Sequence, residues 1–303
     1  LILSATTRPK PDYTAWIAFC VMAVCMSLSF VFAKFSLEGF TLEQAAGGRL
    51  VIGAVFLLPV TYLLGDGLPL KLWFWKWAVI LGMVNFVLPI GFTTYGLLTL
   101  PSNEVGVMYA LIPLITIGLS SVILKVKISR QKLIGLGIGL TGLLVISEPQ
   151  SWIGETASNS ALPMLAIFAA VACLATAAIL MRVMPKANPL SLIGASSLVA
   201  SVFGIWPFIS VFEGDLPSVR PWLGLLGVSI LSTAIAYSIR FFLIRRKGPV
   251  FLAPNAYFSI ILANVFGVLL LGDAITSSMK IAFVLIIAGL YIARDRSGYM
   301  KQV

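Results

Sequence analysis

The sequence predicts an all-α integral membrane protein whose ten transmembrane helices form two inverted five-helix repeats. Three observations carry that prediction. The composition is too apolar for a soluble domain, the apolar residues come in ten continuous stretches, and the basic residues are sorted onto alternate loops. Of 303 residues, 59% are hydrophobic and 11% charged, and the mean hydropathy is +1.03. Soluble domains carry about 25% charged residues. A bilayer core roughly 30 Å thick takes about 20 apolar residues per helix. Ten such helices use most of this chain and leave only short loops.

The stretches run over 13–33, 44–64, 73–98, 104–124, 131–147, 161–181, 189–212, 221–244, 250–271 and 278–293. Each is continuously apolar, whereas a membrane-spanning β-strand alternates apolar and polar residues. The first is too long for a signal-peptide core and is read as a span. With the N-terminus in the cytoplasm, sixteen of the 21 basic residues fall on the cytoplasmic side, among them Lys125, Lys127, Arg245, Arg246 and Lys247. Lys34, Arg220 and Lys280 lie opposite, and Arg49 and Arg240 fall inside span edges. Lys and Arg accumulate in cytoplasmic loops. The expectation is a multi-pass protein of a bacterial inner (plasma) membrane with both termini cytoplasmic. The net charge of +10 is accordingly read as topology and contact with lipid headgroups, not as a nucleic-acid surface.

The halves read as one unit used twice. The expected organisation is a cytoplasmic tail at 1–12, a first repeat at 13–147, an external linker at 148–160, a second repeat at 161–293 and a cytoplasmic tail at 294–303. A shift of 147 residues sets Trp75 on Trp222, Leu124 on Leu271, Ile128 on Ile275 and Gly142-Leu143 on Gly289-Leu290. Five spans per unit is odd, so the second copy enters the membrane from the opposite side. Inverted repeats of this kind build many secondary transporters, with the substrate held between them. Span 5 adds Gly135 and Gly139, a small-residue face suited to close helix packing within the monomer.

Enzyme chemistry finds little support. The chain has no histidine, which removes HExxH zinc sites and histidine-activated nucleophiles. It has no GxxxxGK[ST] phosphate loop. The three cysteines, Cys20, Cys25 and Cys173, sit within spans and read as buried filler. No metal or cofactor is expected. No Asp or Glu falls near a span centre, which disfavours a proton antiporter or a multidrug-cation pump built on a midplane carboxylate. Arg49 and Arg240 lie one to two turns inside their spans. They are expected to snorkel towards the interface, with recognition of a substrate carboxylate as the alternative. The polar residues at depth are neutral or aromatic, and facing lipid would leave their hydrogen-bonding groups unmet. The expected substrate-binding set is Asn85, Tyr95, Tyr109, Ser232, Tyr237, Tyr257 and Asn264. A largely apolar cavity with a few polar groups suits a small molecule. Pro89 and Pro113 lie deep and are the expected hinges, because each removes one backbone hydrogen bond. The expected partners are a small-molecule substrate and membrane lipid, in a monomer.

Three segments carry a family resemblance: "SFVFAKFSLEGFTLEQAAGGRLVIGAVFLLP", with Lys34 closing span 1 and Arg49 opening span 2; "MYALIPLITIGLSSVILKVKISRQKLIGLGIGLTGLLVI"; and "LLLGDAITSSMKIAFVLIIAGLYI", with Asp273 where Glu is common. Over nearly its whole length the chain resembles the drug/metabolite transporter superfamily, in particular its ten-helix EamA-type exporters. Its neutral and aromatic lining is similar to that of YddG-like amino acid exporters. The resemblance implies export of aromatic or neutral amino acids, or similar small metabolites, by alternating access, and the lack of a midplane acid points to a facilitative mechanism. It also implies that spans 1–4 and 6–9 surround the cavity while spans 5 and 10 brace it. A nucleotide-sugar or drug exporter of the same fold is the alternative, and a membrane scaffold without transport the alternative of another class.

Overall fold

The computed structural model describes residues 12–123, 125, 130–146, 157–247, 251 and 255–293. The expected tails at 1–11 and 294–303, and most of the expected linker, lie outside the described residues. Within them we group the helices into ten runs. Helix α1 is Tyr13–Ser36, α2 Leu42–Leu64, and α3 Leu72–Gly82 continued by a π turn, Met83–Val87, and by Leu88–Leu97. Helix α4 is Ser102–Tyr109 and, after a turn, Ile112–Ile123; α5 is Arg130–Ile146 and α6 Ala157–Val183. Helix α7 is Pro189–Ile209, and α8 runs through Val219–Gly227, a π segment Val228–Ile235 and Ala236–Lys247. Helix α9 is Asn255–Phe266 ending in a π turn, Gly267–Leu271, and α10 is Ser277–Ala293. Seven helices, in α1–α4 and α6–α8, are long and apolar enough to cross a membrane; shorter apolar helices at Leu133–Gly142, Ile261–Leu271 and Ser277–Gly289 lie in α5, α9 and α10.

The outer surface explains the composition. Leu63, Leu70, Trp206 and Val219 are each more than half exposed, which suits a hydrocarbon surround and not water. Two helix starts are written locally. Thr41 accepts from Gln44 N–H at 3.3 Å while Gln44 accepts from Thr41 N–H at 3.0 Å, a reciprocal cap that opens α2. Asn188 accepts from Leu190 N–H and opens α7 with Pro189 at its first position.

Helix pairing keeps its form when the two halves are exchanged. Helix α1 packs on α8 and α9, and in parallel α6 packs on α3 and α4. Helix α2 packs on α8, as α7 does on α3; α2 also packs on α7, and α5 on α10. The last pair shows the operator. Built as an alanine, Gly142 would meet the Ala282 carbonyl at 3.0 Å and Ile286 at 2.9 Å; Gly289 would meet the Gly135 carbonyl at 2.5 Å and Gly139 N at 2.9 Å. The 147-residue shift carries Gly142, Gly135 and Gly139 onto Gly289, Ala282 and Ile286. One contact therefore occurs twice, and it pairs the end of each helix with the start of its mate. Matching helices running antiparallel is what a two-fold axis in the membrane plane produces.

Polar clasps join the helix ends. On the side of the α1 start, Asp12 takes Arg246 Nε at 2.7 Å and Lys247 Nζ at 3.2 Å. Arg246 beside Asp12 holds its carboxyl well below the usual carboxylate range. A depressed carboxyl contributes fully above that range and loses its effect only as pH falls through it, so the clasp is unaffected near neutrality. On the opposite side Arg220 pairs with Glu38 at 3.1 Å and lies over the Phe35 ring. There too Lys34 Nζ donates to the Leu100 carbonyl at 3.0 Å.

Candidate functional site

Several polar side chains of the spans gather where three helices depart from regular geometry. In α3, Pro89 lacks an N–H and its ring would strike the carbonyl four residues back. The π turn Met83–Val87 widens the helix at that place. Its equivalent in α8, Val228–Ile235, has no proline. Serine hydroxyls there donate back to carbonyls instead: Ser229 to Leu225 at 2.6 Å and Ser232 to Val228 at 2.5 Å, a habit that bends helices. In α4 the helix breaks at Ala110 and Leu111, just before Pro113. Both prolines expected as hinges thus sit at helix irregularities.

Around these points the side chains form three hydrogen-bonded groups. Asn85, on the α3 π turn, donates to the Tyr237 hydroxyl at 3.3 Å. The Tyr237 ring lies 5.7 Å from Phe86. Tyr109, at the α4 break, shares a hydrogen bond with Thr93 and meets Phe30 edge-on at 5.0 Å. Ser232 is buried and accepts from Arg49 Nη2 at 3.3 Å; Ser29, on α1, accepts from the same nitrogen at 3.4 Å. Residues from both halves therefore meet at these points.

Arg49 departs from the sequence expectation. Its guanidinium does not snorkel to the surface; it turns inward to two buried serines. The reason is α2 itself, which packs on α7 and α8 on its inner face and carries Arg49 on that side. Arg240, by contrast, is exposed. Among the described residues no carboxylate pairs with Arg49, and its Nε is buried without a hydrogen-bond partner. A covered charged donor left unmet costs at least about 1–3 kcal/mol.

Of the expected set, Asn85, Tyr109, Ser232 and Tyr237 come together. Tyr95 is half-buried on α3, but none of the hydrogen bonds or ring contacts described above joins it to the cluster. Asn264 is half-buried on α9. The Tyr257 side chain lies outside the described residues. Sequence reasoning missed the rings of Phe30 and Phe86, which the apolar run hides, and the α8 π segment, whose only signal was its density of Ser and Thr.

Comparison with known proteins agrees with this architecture. The EamA-like transporter family model matches twice, over residues 14–148 and 161–294. The chain belongs to the EamA-like transporter family. It is therefore a multi-pass transporter and not an enzyme, and its substrate is a small molecule. Two relatives, from Chlamydia trachomatis serovars L2 and D, are each 25% identical over 97% of this chain and 93% of their own length; both are named S-adenosylmethionine/S-adenosylhomocysteine transporter. A protein of known crystal structure shares the fold at a TM-score of 0.61 and 17% identity, over 93% of this chain and 97% of its own.

Proposed function

We propose that this EamA-family protein moves amino acids, aromatic or neutral, or metabolites built on an amino-acid head, out across a bacterial inner membrane by alternating access. One observation carries the reading. At the helix irregularities, polar residues of both halves meet: Arg49 with Ser232, Asn85 with Tyr237, and Thr93 with Tyr109. Such a cluster between repeats is where a transporter of this architecture holds its substrate. The proposed orientation puts both termini in the cytoplasm, as the sorting of Lys and Arg indicates. The cluster holds no acid among the described residues, which supports transport down the substrate gradient without a proton. A monomer suffices, since each chain carries both repeats.

A second reading keeps the site and enlarges the substrate. The names of the two relatives favour S-adenosylmethionine or S-adenosylhomocysteine, whose amino-acid head would use the same polar groups while the purine lies on aromatic rings. Counterflow in proteoliposomes decides between them, with a panel of amino acids against the two adenosyl compounds. Saturable exchange of phenylalanine or leucine supports the first reading. Exchange of the adenosyl compounds alone supports the second, and saturable exchange of none of them sinks both. Accumulation driven by an imposed pH gradient would contradict a facilitative mechanism.

A further inference from the structure

The 147-residue shift that relates the two halves carries Arg49 onto Ser196, Ser29 onto Thr176 and Ser232 onto Asn85. The charged cluster of Arg49, Ser29 and Ser232 thus has a neutral image in Ser196, Thr176 and Asn85. Arg49 Nε and Ser196 Oγ are the two buried side-chain atoms that lack a partner among the described residues. They occupy equivalent places in the two repeats. A structural arginine in a protein interior is ordinarily closed by a carboxylate, because an unpaired buried charge is strongly destabilising. Here serine hydroxyls take one nitrogen, and Nε is left over.

We infer that Arg49 is the anchor for a carboxylate on the transported molecule, and that the first repeat alone carries this anchor. The inference rests on the transport reading above and names the group by which the substrate is held. A guanidinium presents parallel N–H donors to a planar carboxylate. Ser29 and Ser232 steady the guanidinium from α1 and α8. A carboxylate fits better than a phosphate, since one cation balances a single negative charge and no second Lys or Arg joins this cluster among the described residues. Because the image site is neutral, the carboxylate has one address. The remainder of the molecule lies towards Asn85, Tyr237 and Tyr109, where hydroxyl and amide groups meet an ammonium or a ring edge without an acid.

The test pairs ligand chemistry with variants. Binding to the purified full-length protein in nanodiscs is read as a rise in melting temperature at neutral pH. The probes are 3-phenylpropionate, its amide, 2-phenylethyl phosphate, L-phenylalanine and S-adenosylhomocysteine; the last two separate a free amino acid from an adenosyl compound as the source of the carboxylate. The expected result is that the acid binds about 10- to 100-fold more tightly than its amide, the range of a charge-assisted hydrogen bond. Arg49→Gln should erase that preference, and Arg49→Lys should restore it in part. The wild-type comparison of acid with amide needs no variant, so the inference stays testable where a substitution prevents folding. Equal binding of acid and amide to the wild type overturns the anchor, as does tighter binding of the phosphate or a preference that survives Arg49→Gln. A preference for the acid without flux of any amino acid or adenosyl compound leaves the anchor standing and overturns the substrate reading. Flux without the preference does the reverse.

Discussion

Tyr237 shows how much one hydroxyl does at this site. It takes the Asn85 amide on one side, and its ring packs beside Phe86 on the other. Tyr237→Phe keeps the ring and the packing with Leu50, Leu57 and Ile90 but leaves the Asn85 amide without its acceptor. A neutral hydrogen bond is worth about 0.5–1.5 kcal/mol, so the expected effect is a 2- to 12-fold rise in the KM for exchange with little loss of thermal stability. Proteoliposome kinetics beside a melting curve check it; a large drop in melting temperature with KM unchanged would mean that the hydroxyl serves only the fold. At this scale the sequence was partly legible. Polar residues in apolar runs must turn inward, a rule that picks Asn85, Tyr109, Ser232 and Tyr237 but equally Tyr95, Tyr257 and Asn264, because it does not say which of them meet. Arg49 was ambiguous because position along a helix gives depth but not facing. A guanidinium two turns from a helix end reaches either the interface or the interior, and only the packing of α2 on α7 and α8 decides between them.

The elements were legible where apolar length or small residues set them, and less so where regular geometry fails. Pro89 and Pro113 announced irregularity, and the structure has a π turn and a break there. The α8 π segment carried no proline and was not expected. Its serines satisfy themselves on their own helix backbone, a choice that sequence leaves open. The glycines of span 5 predict a close-packing face, and they form one: Gly135 and Gly139 lie beneath Gly289, and Gly142 lies against Ala282 and Ile286. Larger side chains at Gly142 or Gly289 strike backbone atoms of the facing helix, which cannot move aside as a side-chain tip can. Gly289→Leu is therefore expected to destabilise the protein by about 1–3 kcal/mol, seen as a lower melting temperature in detergent. Gly137 serves as the control, since a Cβ there meets nothing within 4 Å. Gly137→Leu should leave the melting temperature nearly unchanged, and an equal loss at both positions would remove the α5–α10 contact as the cause.

For the whole molecule, exchange of the repeats interconverts the two openings of the alternating cycle proposed above, so any contact without an image biases that cycle. The end of α9 provides one. Gly272 takes a left-handed backbone, φ 71°, which glycine adopts freely. That turn presents Asp273 to the start of α4. The Asp273 carboxylate accepts from Ser102 Oγ at 2.6 Å and Asn103 N–H at 3.3 Å, and Asn103 Nδ2 donates to the Ala274 carbonyl at 3.2 Å. A residue of the second repeat thereby caps a helix of the first, on the side opposite the α1 start. Lys125, which the 147-residue shift pairs with Gly272, also has a left-handed backbone, φ 53°, but the sequence sets Val126 opposite Asp273. A valine cannot accept those hydrogen bonds. The sequence therefore does not repeat the Asp273 side chain in the first repeat, and the clasp is expected to favour the state in which the α4 start is held closed. Loss of a helix cap costs about 0.5–2 kcal/mol, so Asp273→Ala should raise the open population on that side about 2- to 30-fold. A single cysteine at Thr93, in a protein stripped of Cys20, Cys25 and Cys173, reports this through its labelling rate with an impermeant maleimide added from that side. Asp273→Asn keeps one oxygen acceptor and should fall between alanine and the parent. Labelling that stays the same in Asp273→Ala would mean that the clasp stabilises the fold without biasing the cycle.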